Sequence, residues 1–253
     1  MKIISAGDTH PGKRRENNED AYLLDDGMFL YAVADGVGGS EGGEVASRIT
    51  IETLSGEMKD LLAGVDRTPP VGSSSETAAE FALLRSVVAL ANRNVRNGRE
   101  QSAALSDMAT TITLLVFRQR TAYLAHVGDS RAYLLRADEF RQITNDHTLV
   151  AEQLRAGFLT PDLARMSPYR HIITRAVGID EEVRTDVLQM EIRKGDRFLL
   201  CTDGLTEMVA DGDIRAILAG SEPAAAVQNL ITAANDAGGM DNITVVVARI
   251  AEI

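Results

Sequence analysis

Apolar runs of strand length recur along the chain, each closed by a short polar turn. Met28 to Ala34 is continuous and apolar. The stretch Ala21 to Leu24 precedes it across Asp25-Asp26-Gly27, which predicts a hairpin. From Gly42 to Leu62 the period changes: Val45, Ile49, Ile51, Leu54, Met58 and Leu61 recur at helical spacing. Pro69 to Ser75 reads as a loop, and a second helix is predicted over Glu76 to Asn97. Strands return at Thr111–Phe117, Thr121–Val127, Arg131–Leu135 and Phe140–Ile143, close enough together to predict an antiparallel meander. His147–Ala156 reads as a helix. Gly157–Tyr169, with Pro161 and Pro168, reads as an irregular excursion. Strands near Thr185–Ile192 and Arg197–Thr202 follow, joined by Lys194-Gly195-Asp196, then helices over Asp211–Leu218 and Pro223–Ala237, and a last strand over Ile243–Ile250. Without regular strand–helix alternation, a doubly wound parallel sheet is disfavoured and a layered α+β domain is expected.

Composition narrows the classes. The 253 residues are 45% hydrophobic and only 4% aromatic, with no Trp, so the core must be mainly aliphatic. Acids outnumber bases 37 to 26, a net charge of −11, which repels nucleic acid and anionic membrane. Lys13, Arg14 and Arg15 form the one tight basic cluster. The apolar start of the chain is too short for a signal peptide, and no stretch approaches the ~20 residues of a membrane span. A single cysteine, Cys201, rules out an internal disulfide. A soluble, cytoplasmic protein is expected.

Chemistry concentrates in aspartates at strand ends. Asp35-Gly36 closes the Met28–Ala34 run, Asp203-Gly204 closes Arg197–Thr202, and Asp241-Asn242 opens the last strand. Any one Asp-Gly is better explained as a plain turn. Topology changes the balance. A hairpin puts Asp20 beside Asp35, an antiparallel last strand puts Asp241 beside Asp203, and Asp129 occupies the turn Gly128-Asp129-Ser130. Five carboxylates gathered at one rim are unfavourable unless cations neutralise them, and hard divalent ions suit an all-oxygen site. Gly36 would let a backbone carbonyl approach such an ion. The four histidines show no zinc spacing, no G-x-S-x-G elbow is present, and the glycines from Gly36 to Gly43 lack a phosphate-loop ending. Cys201, within an apolar strand, reads as a buried structural thiol.

These residues, read in order, resemble a known family. Arg15-Glu16-Asn17-Asn18-Glu19-Asp20 is similar to the R-x-x-N-E-D opening of the type 2C, metal-dependent serine/threonine protein phosphatases, and Val33 to Gly39 to their V-A-D-G-x-G-G motif. His126 to Arg131 resembles V-G-D-S-R. Asp146-His147-Thr148, Ile173 to Gly178, Leu200 to Leu205 and Gly239 to Thr244 follow in the family's order. The resemblance spans nearly the whole chain and points to the bacterial branch.

It implies a four-layer αββα sandwich, with residues 1–253 one catalytic domain and a flap at about 157–178. It implies two tight Mn²⁺ or Mg²⁺ ions, Asp35 bridging them with the Gly36 carbonyl on one, and Asp203 and Asp241 completing the first. Glu19 and Asp20 would act at or near the second ion, often through water, and Asp129 would join Asp203 at a weaker third. Arg15 would grip the substrate phosphate; without the motif it would pass for a solvated charge. The function implied is hydrolysis of phosphoserine and phosphothreonine in proteins by metal-activated water, reversing a partner kinase in signal transduction, in a monomer. A non-catalytic phosphoprotein-binding module and a phosphatase of small phosphoesters are the alternatives. Two departures stand out. Val37 follows Asp35-Gly36 where eukaryotic relatives commonly carry a His proposed to protonate the leaving group, and Met166-Ser167-Pro168 lacks a His often found before that proline.

Overall fold

The structure, a computed structural model, describes residues 1–38, 42–63 and 74–253. Most of the predicted Pro69–Ser75 loop lies outside them. Among the described residues the strands form two antiparallel sheets. One contains, in spatial order, β1 (Lys2–His10), β11 (Ile243–Glu252), β10 (Arg197–Cys201), β7 (Arg131–Arg136) and β8 (Glu139–Gln142). The other contains β2 (Asp20–Asp25), β3 (Leu30–Val37), β5 (Ile112–Arg118), β6 (Thr121–Val127) and β9 (Asp186–Glu191), with the short β4 (Ala109–Thr110) also on β3. Helices α1 (Gly42–Ala63) and α2 (Ser74–Arg99) cover the second sheet. Helices α6 (Asp211–Gly220) and α7 (Pro223–Asp236) cover the first. The expected four-layer α+β sandwich is therefore present.

Side-chain alternation explains why the central strands read as unbroken apolar runs. Successive residues of a strand face opposite sides, and here both sides are buried. In β3, Leu30, Ala32 and Ala34 face the layer of α1 and α2, where Leu54, Met58, Leu84 and Val88 pack. Tyr31 and Val33 face the opposing sheet, meeting the cluster of Phe117, Phe198, Leu200 and Val246. In β10, Leu199 and Cys201 turn outward toward Ile214, Leu218, Val227 and Leu230, while Phe198 and Leu200 turn inward. Three stacked apolar layers thus hold four layers of structure.

Two expectations need correcting. The four strands from Thr111 to Ile143 are not one meander: β5 pairs with β6 and β7 with β8, but β6 and β7 lie in different sheets. The chain crosses the sandwich at Gly128-Asp129-Ser130, where Gly128 has φ +110°, open to glycine and costly for other residues. Likewise β9 pairs with β6, and β10 with β7 and β11, so Lys194-Gly195-Asp196 is a second crossing between the sheets. The excursion from Gly157 to Tyr169 contains a short helix, α4 (Pro161–Met166), with Pro161 in its first turn and the Thr160 hydroxyl accepting from Leu163 N. Pro pre-sets the helical φ there and supplies no donor that the first turn would leave orphaned.

Strand β1 had no sequence signal. It is an edge strand, none of its nine residues is fully buried, and its apolar residues are diluted by Ser5, Gly7 and Asp8. Among the described residues no helix is long and apolar enough to cross a membrane.

Candidate active site

The aspartates converge as the strand pairing requires. Asp20 and Asp35 are direct partners across the β2–β3 ladder. Asp203 begins α5 (Asp203–Thr206) immediately beyond β10, and Asp241 stands just before β11, which pairs antiparallel with β10. Asp129 enters from the sheet crossing. Arg15, Glu19, Asp35 and Gly36 line one cavity of about 440 Å³ with Asp129, Asp203 and Asp241. Asp20 is buried behind it, 8% exposed.

Close backbone packing builds this rim. A Cβ on Gly204 would fall 1.9 Å from the carbonyl oxygen of Asn242, and one on Gly36 would fall 2.1 Å from that of Gly43. Only glycine fits either place. The Asp35 amide donates to Thr111 Oγ1 at 3.0 Å, and its carbonyl accepts from Thr111 N and from the Thr110 hydroxyl. Asp20 ties the sheets together: its Oδ2 accepts from Thr202 Oγ1 at 2.8 Å and Thr244 Oγ1 at 2.6 Å, both on the opposite sheet's side. Its Oδ1 is buried without a hydrogen-bond partner.

The electrostatics are those of crowded buried acids. Burial, then the charges of Asp20 and Asp203, holds Asp35 well above the usual carboxylate range. Burial raises Asp129 to about 8, with Asp203 the next cause. Asp203 is raised to about 6 by burial, then by Asp241 and Glu207. Asp20 is raised to about 7 by burial, against its two hydroxyl donors. An oxygen-only donor set, mutual repulsion and an unsatisfied buried oxygen fit divalent cations. Glu19 is also raised, by partial burial, and lines the cavity edge.

Arg15 stands at the mouth. Its guanidinium donates to Asp241 Oδ2 at 2.8 Å, and both side chains are partly exposed. The residue after Gly36 is the exposed Val37, 44% accessible, which has no proton to donate. The Cys201 thiol is fully buried and pushed up to about 12 by that burial, so it is no nucleophile.

Several organising residues, some of them inside the matched motifs, were given no role from the sequence. Asn242 holds the arm bearing Arg15: its amide donates to the Pro11 and Asn17 carbonyls at 3.0 and 2.9 Å, and its Oδ1 accepts from Glu19 N at 2.8 Å. His147 fixes the turn before Asp129. Its Nδ1 accepts from Gly128 N at 3.0 Å, so its proton sits on Nε2, 3.2 Å from Asp186 Oδ2, and Asp186 also accepts from Arg175. Arg131 grips Asp146 through Nε and a terminal nitrogen. His171 and Glu207 lie beside Asp203, and the potential ligand atoms of the three are all within 4.8 Å of one another. For Glu207 a signal existed: it falls four residues after Asp203, a spacing that stacks side chains on one helix face.

The facing rims of the two sheets bring a ring of carboxylates to one cavity, an all-oxygen donor set of the kind that suits divalent cations. The family model of protein phosphatase 2C matches residues 6–238. The chain is 35% identical to protein phosphatase PhpP of Streptococcus pneumoniae, over 96% of both chains. It is 39% identical to serine/threonine protein phosphatase PstP of Mycobacterium tuberculosis, over 95% of this chain and 44% of that one. A crystal structure of M. tuberculosis PstP superposes with a TM-score of 0.86 at 37% identity, covering 99% of each chain. A PstP catalytic domain in complex with two manganese ions superposes at 0.84 and 36% identity, over the same shares. The chain belongs to the protein phosphatase 2C family, bacterial branch, and is an enzyme of the hydrolase class.

Proposed function

We propose that this protein removes phosphate from phosphoserine and phosphothreonine in proteins, with divalent cations held by Asp35, the Gly36 carbonyl, Asp203 and Asp241. The observation that carries the reading is the single cavity shared by those residues, Asp129 and Arg15, in a chain whose one thiol is inert. Bound cations would supply a water-derived nucleophile near neutral pH and offset charge on the phosphoryl oxygens. The chain's own residues do the rest. Asp35 and Asp203, too crowded to stay charged alone, lend their charge to the cations. Glu19 and Asp20 act near the second ion, Asp20 through its free Oδ1. Arg15 leaves Asp241 to take two phosphate oxygens and aim phosphorus for in-line attack. Asp129, facing the same cavity, supports a weaker third ion with Asp203.

The preferred metal is Mn²⁺, as in the PstP complex, with Mg²⁺ as substitute. The finer reading is a monomeric cytoplasmic enzyme, one catalytic domain over 1–253 with a flap at about 157–178, that opposes a serine/threonine kinase in signalling. The test is phosphopeptide hydrolysis after exhaustive chelation and after restoring Mn²⁺. Activity should vanish and return, and kcat/KM should favour phosphopeptides over free phosphoserine. Full turnover without metal overturns the mechanism, and a preference for small esters overturns the substrate class.

A further inference from the structure

Burial takes Asp129 out of water, and the charges of Asp203 and Asp146 then press on it. A carboxylate repelled in this way swings aside unless the backbone beneath it is fixed. Here the backbone is fixed on both sides. After Asp129, the Ser130 hydroxyl lies 2.7 Å from that of Thr111, and the Ser130 carbonyl accepts from Thr113 Oγ1 at 3.1 Å. Before it, one residue takes both polar groups of the Gly128 backbone: His147 Nδ1 accepts from Gly128 N at 3.0 Å, and His147 N donates to the Gly128 carbonyl at 2.8 Å. His147 is fully buried. With Nδ1 accepting, Nε2 carries the ring proton toward Asp186 Oδ2, and Asp186 Oδ1 accepts from Arg175 at 2.8 Å. Arg175 belongs to a segment, 172–177, that is stitched at both ends. Leu149 N donates to the Ile172 carbonyl at 2.8 Å and Thr174 N to the His147 carbonyl at 2.7 Å. Val177 and Thr110 exchange backbone bonds of 2.8 and 3.0 Å, and the Thr110 hydroxyl donates to the Asp35 carbonyl at 2.8 Å. Bonds and chain thus run from Asp35 through Thr110, Val177, Arg175, Asp186 and His147 to Gly128, next to Asp129.

We propose that Arg175, Asp186 and His147 are positioning residues for the hydrolysis, which together hold the Asp129 carboxylate in place relative to Asp35. None of the three lines the catalytic cavity, so they act through Asp129 and not on the phosphate. The imidazole serves as an acceptor at Nδ1, and Asp186 keeps it so by taking the proton on the far nitrogen. Arg175 in turn fixes Asp186 and joins it to the segment that reaches Asp35 through Thr110. The inference rests on the proposed function in one respect, that Asp129 takes part in turnover.

Two kinds of measurement test it. In the metal-free protein, nuclear magnetic resonance of ¹⁵N-labelled histidine should show His147 protonated on Nε2, with a scalar coupling across the hydrogen bond between Gly128 N and His147 Nδ1. Kinetics then separates orientation from stability. At residue 147, Asn presents an oxygen near the Nδ1 position, whereas Gln reaches toward the Nε2 position and leaves Gly128 N unanswered. His147→Gln should lower kcat on a phosphopeptide by about tenfold or more, the range for groups that orient a metal ligand. KM should change far less, and His147→Asn should recover most of the loss. Arg175→Gln, at the less buried end of the chain of bonds, should also lower kcat, and it keeps the test open if His147→Gln fails to fold. In an Asp129→Ala background neither substitution should lower kcat further, because residues acting as one unit are not additive. A His147 protonated on Nδ1 overturns the proposal. So does the same fold-loss with and without Asp129, or an unchanged kcat in the folded variants. Full turnover in Asp129→Ala overturns both this inference and the role proposed for Asp129, while leaving Asp35, Asp203 and Asp241 standing.

Discussion

Asn242→Ala tests how the arm that carries Arg15 is held. Asn242 is 6% exposed and makes three hydrogen bonds to the arm, to Pro11, Asn17 and Glu19. A net intramolecular hydrogen bond contributes about 1 kcal/mol, and a buried group left unpaired costs about 1–3. Truncation removes all three bonds and strands the Glu19 N–H, so a loss of about 3 kcal/mol is expected. For a domain of this size each kcal/mol moves Tm by about 2–4 °C, which gives a fall of about 6–12 °C by scanning calorimetry in excess Mn²⁺. Activity should fall as well, because Arg15 rides on the arm. If it falls only through Arg15, the loss in kcat/KM on a phosphopeptide cannot exceed that of Arg15→Ala. The double variant should then be no worse than Arg15→Ala alone, since coupled residues are not additive. A Tm within about 2 °C of the parent would refute the anchoring. Fully additive losses in kcat/KM would show that Asn242 acts on the centre by another route.

Three further outcomes follow from the same geometry. Asp35→Asn should lower kcat by several orders of magnitude and still fold cooperatively, because a buried charge surrounded by other acids is removed; near-normal turnover at saturating Mn²⁺ would mean the centre lies elsewhere. Arg15→Ala should weaken phosphate binding by about 1.5–3 kcal/mol, the range for a hydrogen bond to a charged group, and inhibition by inorganic phosphate reads it directly; an unchanged Ki would reject the role. His126, packed against His147 with ring centroids 4.7 Å apart and the planes tilted by 36°, is lowered to about 4 by burial, then by His147. The unfolded chain protonates it near 6.5, so its contribution is complete above that pH and is lost as pH falls toward 4, on the order of 3 kcal/mol in all. Stability curves of the parent and His126→Gln should converge over that window, and parallel curves would contradict the shift.

Much of this architecture was legible because the central strands are buried on both faces. Runs such as Met28–Ala34 and Phe198–Cys201 are continuous and apolar, and the aspartates punctuate their ends. The placing of Asp20 opposite Asp35 and of Asp203 near Asp241 followed from two antiparallel pairings, and both are present. The division of strands between sheets was not legible. A three-residue turn such as Gly128-Asp129-Ser130 reads the same whether it closes a hairpin or crosses a sandwich, and the partner that decides it, β10, lies far along the chain. Edge strand β1 lacked the pattern because an edge need not be buried. Asn242 and His147 act through backbone groups of distant segments, and nothing local in the sequence marks such bonds.

The carboxylate rim draws on both sheets, Asp20 and Asp35 from one side and Asp203 and Asp241 from the other, with Asp20 already bonded to Thr202 and Thr244 across the gap. Any ligand seated there spans the seam of the sandwich, and separating the layers must first release it. Mass action then couples occupancy to cohesion: at a free ligand concentration one hundred times Kd, a single site adds about 2.7 kcal/mol to the unfolding free energy. A cation held at this rim would therefore also be a clasp of the fold, and the resistance of the whole molecule to heat or protease would rise with the cation concentration around it.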